Sequence, residues 1–336
     1  MRIFYMEAGS TRYIRPHLMT CLASASKVAG IFLISTIFVS CSPRMEDQMA
    51  QADTVPEGAF IDLAEGRIHA VVRGSGPDLV MIHGANGNAR DFSFDLMDRM
   101  SAEFRVIALD RPGFGFSDDF GGPESPIVQA DILRQAASAL GAETPIVVGH
   151  SYGGAVALAW ALRAPQDVAG LTLLAPVTHP WDESLGLWYQ ISASWLGQYL
   201  VLPLVAALAP RSSVENTLAG VFAPDAVPEG YLDHLGVSLT MRHAQLALNA
   251  RQVNSLNGYV EAMAPGYPAL TMPIEVLHGT EDETVLLDIH SAKLAAQVES
   301  ASLTVMEGTG HMPHHAQPET VVDAIRRTAQ RAGILQ

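Results

Sequence analysis

Three side chains stand out by type and surroundings: Ser151 in Gly149-His150-Ser151-Tyr152-Gly153, Asp282 in His278-Gly279-Thr280-Glu281-Asp282, and His311 in Gly308-Thr309-Gly310-His311-Met312-Pro313. A serine hydroxyl is a poor nucleophile near neutral pH, so it needs a base to take its proton and a carboxylate to orient that base. The chain supplies these types in the order Ser, Asp, His, and the chemistry they could perform is attack on a carbonyl carbon. Glycine and serine are also common in ordinary turns, so the setting of Ser151 has to decide. The apolar run Ile146 to Val148 enters the pentapeptide as a strand, and the alanine-rich AVALAWALRA leaves it as a helix. A strand, a sharp glycine-flanked turn and a helix together form a setting that presents a nucleophile outward.

The elements that must position these residues are legible as alternation. Short β-rich runs (RIHAVV, DLVMIH, FRVIALD, IVVGH, LTLLAP, IEVLH, SLTVM) alternate with helical patterns. This reads as an α/β fold with a mostly parallel sheet flanked by helices. Asp282 and His311 each fall in a loop just past a strand, at the edge where open α/β sheets build their sites. Ile127 to Leu140 carries Ile127, Ala130, Leu133, Ala137 and Leu140 at helical spacing between Pro126 and Gly141, a crossover helix facing the core. A last helix begins beyond Pro318, turning Val321, Val322, Ile325 and Ala329 inward. About ninety residues between LTLLAP and IEVLH break the alternation, and a stretch that long needs structure of its own. It reads as a helical cap over about 177–267, rich in Trp181, Trp188, Trp195, Tyr189 and Tyr199. Those aromatic residues either line an apolar acyl or aromatic pocket or pack the cap onto the core.

The order Ser, Asp, His on this alternation resembles the alpha/beta-hydrolases, over roughly residues 59–333. The resemblance implies an eight-stranded sheet with the cap inserted after strand 6, and catalysis by Ser151, Asp282 and His311. Glu281 is the rival acid; the family's spacing from the preceding glycine favours Asp282. His83-Gly84-Ala85-Asn86-Gly87 is similar to the family's oxyanion loop, which implies an oxyanion hole from the N–H groups of Ala85 and Tyr152. His83 then supports the loop, and Asn86, Phe114 and Trp188 are candidate substrate contacts. Serine at 151, where epoxide hydrolases and haloalkane dehalogenases of this family carry aspartate, points to acyl transfer. The favoured reaction is hydrolysis of a fairly apolar carboxylic ester. Amide or C–C bond hydrolysis, perhydrolysis, a hydroxynitrile lyase activity and a non-catalytic binding protein on the same fold are the alternatives.

No cofactor is called for. The glycines of Asp110-Arg111-Pro112-Gly113-Phe114-Gly115-Phe116-Ser117 lack the Gly-Lys-Ser/Thr ending of a phosphate loop and read as a structural turn. Crowding in His311-Met312-Pro313-His314-His315 suggests a metal, but the further ligands are missing from the pattern, so none is assigned and His314 and His315 read as exposed or supporting groups. The formal charge is −15, with Lys27 and Lys293 the only lysines, which argues against nucleic acid as a partner. Both cysteines, Cys21 and Cys41, precede the body of the chain, so its core stands on packing alone. Val28 to Val39 is an uncharged apolar run behind Lys27, with the length of a secretory signal core and short for a membrane span. Phe38-Val39-Ser40-Cys41 resembles a bacterial lipobox, which implies a targeting segment over 1–40, lipid on Cys41, a polar tether over 41–58 and a domain over 59–336. An uncleaved anchor and a plain signal peptide remain the alternatives, and Met19 is an alternative start.

Overall fold

The computed structural model describes residues 56–182 and 186–336, with the side chains of 186–189 outside that description. The targeting segment and Cys41 therefore lie outside the described residues, as does the side chain of Trp188.

Eight strands form one sheet: β1 (Ala59–Leu63), β2 (Gly66–Arg73), β3 (Asp78–Ile82), β4 (Arg105–Leu109), β5 (Ile146–His150), β6 (Gly170–Leu174), β7 (Ile274–Gly279) and β8 (Ala301–Met306). Their order is β1-β2-β4-β3-β5-β6-β7-β8, with β2 antiparallel to both neighbours and every pair from β4 onward parallel. A parallel sheet with helices on both sides buries both its faces, so its central strands β3 to β6 are largely apolar. Successive residues still alternate: Val80, Ile82, Ile107, Leu109 and Val147 enter one core, while Leu79, Met81, Val106, Ala108 and Val148 enter the other.

Helices α1 (Arg90–Ser93) and α2 (Leu96–Met100) precede β4, α3 (Pro126–Ala139) precedes β5, and α4 (Tyr152–Arg163) follows it. Ser125 caps α3, its side chain accepting from the Ile127 N–H at 3.2 Å, and Pro126 occupies the first turn, where its missing donor costs nothing. Glycine and alanine let α4 lie close against the sheet, and Tyr152 to Ala161 are all buried.

Between β6 and β7 lie α5 (Gly186–Ala193), a π-helical turn at Gly197–Val201, α6 (Leu202–Leu208), α7 (Arg211–Phe222), α8 (Tyr231–Leu235), α9 (Val237–Thr240) and the long α10 (His243–Met263). Leu256, Val260 and Met263 at the end of α10 join the core that contains α3 and α4. After β7 come α11 (Ser291–Gln297), then α12 (Pro313–Ala316) and α13 (Pro318–Arg331) behind β8. Val321, Ile325 and Ala329 of α13 pack with Phe92, Met97 and Met100 on the opposite face. Glu275 of β7 is buried at 3% exposure and paired with Arg327 at 3.1 Å and Arg331 at 2.6 Å.

Candidate active site

Ser151 occupies the turn between β5 and α4 with φ 53° and ψ −116°. An L residue enters that region at a cost of about 1–3 kcal/mol, so the surroundings must impose it. They do so through the backbone: Ser151 N–H donates to Leu174 O at 2.9 Å, and Ser151 O accepts from Gly154 N at 2.9 Å and Val177 N at 3.1 Å. The flanking glycines are required by close approach. A Cβ on Gly149 would stand 2.5 Å from Gly153 O, and one on Gly153 would stand 2.2 Å from Ile82 O.

His311, in the loop after β8, brings Nε2 to 2.9 Å from Ser151 Oγ and Nδ1 to 2.7 Å from Asp282 Oδ2. Gly310 N–H, which donates to Asp225 Oδ2 at 2.8 Å, ties this loop to the segment between α7 and α8. Asp282 sits past β7, its Oδ1 accepting from the N–H groups of Thr284 and Val285, each at 2.9 Å. Burial raises the Asp282 pKa, but hydrogen bonds from His278 and His311 and the Val285 N–H outweigh it and hold the carboxyl well below its usual range. With an ionised acceptor on Nδ1, His311 keeps its proton there and faces Ser151 with a bare Nε2. Glu281, the rival acid, is exposed, and its carboxylate accepts from the Thr280 hydroxyl at 3.3 Å.

His278 was readable only as part of a strand. Its Nε2 lies 3.1 Å from Asp282 Oδ2 and 2.7 Å from Val285 O, while Nδ1 meets Ser291 Oγ at 2.6 Å. It is a second imidazole on the carboxylate, and its one sequence signal is its place at the end of β7.

The loop His83 to Gly87 is held from below. His83 Nδ1 donates to Gly84 O at 2.9 Å, and its Nε2 accepts the Arg111 N–H at 2.9 Å. Burial, and next the Arg111 charge, push His83 down to about 3, so it serves as a neutral hydrogen bonder. Arg111 is another residue whose role sequence reasoning missed. Fully buried, it donates to Gly84 O at 2.9 Å, Gln129 Oε1 at 2.9 Å and Gln252 Oε1 at 2.8 Å. It also lies 4.4 Å from the ring centres of both Phe114 and Tyr152. Asp110 fixes the adjoining turn, accepting from Ala89 N at 2.7 Å, Phe116 N at 2.8 Å and His69 Nδ1 at 2.8 Å. Ala85 is exposed at the loop's tip, and Tyr152 opens α4 beside Ser151.

Of the candidate substrate contacts, Asn86 has φ 50°, donates its N–H to Asn249 Oδ1 at 2.8 Å and accepts from Gln245 Nε2 at 3.3 Å, both on α10. Phe114 is fully buried beneath the loop as a platform for Arg111. Trp195 and Tyr199 of the cap are 74% and 66% exposed, which fits neither packing onto the core nor an enclosed pocket.

Of the two readings of His314 and His315, the structure shows supporting groups, with both side chains buried. His314 donates from Nε2 to both oxygens of buried Asp91 at 3.2 Å, and His315 Nε2 and Tyr231 Oη reach Asp91 Oδ1 at 2.9 and 2.7 Å. Burial raises the Asp91 pKa, but His314 and His315 bring it well below the ordinary aspartate value. Beside them His150 donates from Nε2 to the His311 carbonyl at 3.0 Å, so the residue before Ser151 fastens the backbone of His311. Among the described residues, Asp91, His150 and His314 bring one possible ligand atom each within 4.8 Å of one another. His314 Nε2 donates to the carboxylate, whereas His150 Nδ1 stands 3.8 Å from Asp91 Oδ2 and, like His314 Nδ1, is buried with no hydrogen-bond partner among the described residues.

The sequence-family model described as "Alpha/beta hydrolase family" matches residues 79–324. An uncharacterized protein of Mycobacterium tuberculosis is 28% identical over 268 residues, 76% of each chain. A pimeloyl-[acyl-carrier protein] methyl ester esterase of Vibrio parahaemolyticus is 25% identical, covering 76% of this chain and 96% of its own. A 2-hydroxymuconate semialdehyde hydrolase of Pseudomonas sp. is 29% identical, covering 78% and 90%. A thermophilic esterase from Thermogutta terrifontis has a similar solved structure, with a TM-score of 0.61 at 22% identity, covering 82% of this chain and 99% of that one. With an eight-stranded mostly parallel sheet and a family match across most of its length, this chain belongs to the alpha/beta hydrolase family.

Proposed function

We propose that this hydrolase cleaves a carboxylic ester with a fairly apolar acid or alcohol part, through an acyl-enzyme on Ser151. The observation that carries the proposal is the continuous relay of Ser151 Oγ, His311 and Asp282 at 2.9 and 2.7 Å. Ser151 Oγ attacks the ester carbonyl as its proton passes to His311 Nε2. Asp282 holds the imidazole in the accepting tautomer and stabilises the imidazolium. The N–H groups of Tyr152 and Ala85 receive the oxyanion, with Ala85 kept in place by the Arg111 bond to Gly84 O. His311 then returns the proton to the departing alcohol, and a water molecule, activated by the same imidazole, releases the acid.

The ester reading draws on the serine at 151 and on the methyl ester esterase among the relatives. A second reading, hydrolysis of a C–C bond, is favoured by the relative named for 2-hydroxymuconate semialdehyde, a compound without an ester. An ester panel of graded acyl length on the wild type and Ser151→Ala separates them. The first reading expects turnover that depends on chain length and vanishes in the variant; a folded wild type inert towards every ester overturns it.

The proposal extends to location. The apolar run Val28 to Val39, with Cys41 just beyond it, supports export and a lipid anchor in the bacterial cell envelope, with residues 41–58 as tether. Cys41→Ser is expected to abolish lipid labelling, and unchanged membrane retention would favour an uncleaved anchor.

A further inference from the structure

The cap carries an apolar surface that the catalytic site does not use. From Ser184 to Pro210 the sequence has no Asp, Glu, Lys, Arg or His, in a chain whose net charge is −15. Leu196, Leu200, Leu204 and Leu208, four apart, are 54%, 56%, 51% and 72% exposed, and Trp195 and Tyr199 lie beside them. Residues four apart share one side of a helix, so these leucines form a stripe along the π-helical turn and α6. Between its ridges runs an apolar groove of about 400 Å³, lined by Leu200, Val201, Leu204, Val205, Leu208 and Ala209. The opposite side is fastened down. Leu202 is buried, His243 Nε2 donates to Gln198 O at 2.8 Å, and Arg251 donates to Gln198 Oε1 at 3.2 Å. The segment therefore turns its leucines outward by construction, and an apolar stripe this large on a surface marks a contact site.

We propose that this stripe docks on the surface of a lipid bilayer. This rests on the membrane-tethered reading of the chain given above. The stretch from Ser42 to Val55 spans up to about 50 Å when extended, enough for the domain to turn any face toward a membrane that holds Cys41. Trp and Tyr beside leucines are the composition of a membrane–water boundary, and a face without charges enters that boundary without stripping water from an ion. The partner is defined by apolarity alone. An acidic chain gains nothing from anionic head groups, so docking is independent of salt and complete on zwitterionic lipid. The function this gives is access: the cap is held where apolar esters dissolve.

The test uses the full chain in phosphatidylcholine vesicles with brominated acyl chains. Subtracting the spectrum of Trp195→Phe from that of the wild type isolates Trp195. The expected emission is shifted to the blue and quenched by roughly half or more, as for a ring at the boundary. The double variant Leu200→Glu/Leu204→Glu is expected to lose that quenching while hydrolysing soluble short esters at the wild-type rate, and Leu208→Glu serves if the double variant does not fold. Trp195 emission that stays water-like on vesicles overturns the proposal, as does quenching that survives both sets of variants. A wild-type dimer that the double variant converts to a monomer, without lipid quenching, also overturns it and assigns the stripe to a second copy. Loss of retention in Cys41→Ser tests the tether separately, and soluble-ester turnover tests the catalytic reading.

Discussion

Replacing Asp282 by Asn isolates the role of the carboxylate because the structure dictates how the amide must sit. Oδ1 accepts two backbone N–H groups, from Thr284 and Val285, each at 2.9 Å. An amide turned the other way would set its NH₂ against both donors, so the Asn oxygen takes that place. The NH₂ then faces His311 Nδ1, where Oδ2 had stood at 2.7 Å. Nδ1 must become an acceptor, the proton moves to Nε2, and the base meets Ser151 with a proton already on it. The variant also loses the anion that stabilises the imidazolium. For charge centres about 4 Å apart at an effective dielectric constant of about 20, that attraction is about 4 kcal/mol, and the tautomer change adds to it. The expected loss is therefore about 1,000- to 10,000-fold in kcat/KM. Steady-state hydrolysis of short p-nitrophenyl esters measures it, with circular dichroism to show that the variant is folded. Glu281→Gln, at an exposed position, should leave the rate within about twofold. A folded Asp282→Asn variant within about tenfold of wild type would refute the reasoning, and so would a larger loss in Glu281→Gln.

Acid should unfold the protein earlier than its carboxylates alone require. Burial holds His83 and His290 down at about 3, against 6.5 unfolded. Both are neutral in the fold, so their contribution is fully present above pH 6.5 and is lost as pH falls towards 3. The loss is about 1.4 kcal/mol per pH unit for each histidine, or about 5 kcal/mol for the pair between pH 6.5 and 4.5. Urea midpoints across that range check it, and a flat profile would contradict it. Arg111→Met should leave Gly84 O, Gln129 and Gln252 without their donor, costing about 2–4 kcal/mol of stability. It should lower kcat more than it raises KM, because the loop bearing Ala85 is loosened; equal changes in both would detach Arg111 from the oxyanion loop.

The sequence shows the sheet through its apolar runs and shows the turn at Ser151 through glycines whose missing Cβ atoms the backbone contacts require. The edge strand β1 is harder to see, because AFIDL carries only Ile61 into the core. The reading stops at contacts between residues far apart in the chain. Arg111 lies in a turn motif, and nothing local shows that it reaches Gly84, Gln129 and Gln252 at once. The three imidazoles near Asp91 come from two distant elements, His150 from the end of β5 and His314 and His315 from α12; the pattern HMPHH announces two of them but not their acceptor. The outward leucines of the cap are a third case, since spacing alone does not say which side of a helix meets the core.

The central claim is that Ser151 is a nucleophile activated by His311 and Asp282. Its most direct measurement is covalent labelling of the folded protein by a fluorophosphonate, read by mass spectrometry of the peptide containing residue 151. The account predicts stoichiometric modification of Ser151 in the wild type, slow modification in Asp282→Asn and none in Ser151→Ala. A folded wild type that stays unlabelled, or a label on another residue, would contradict it.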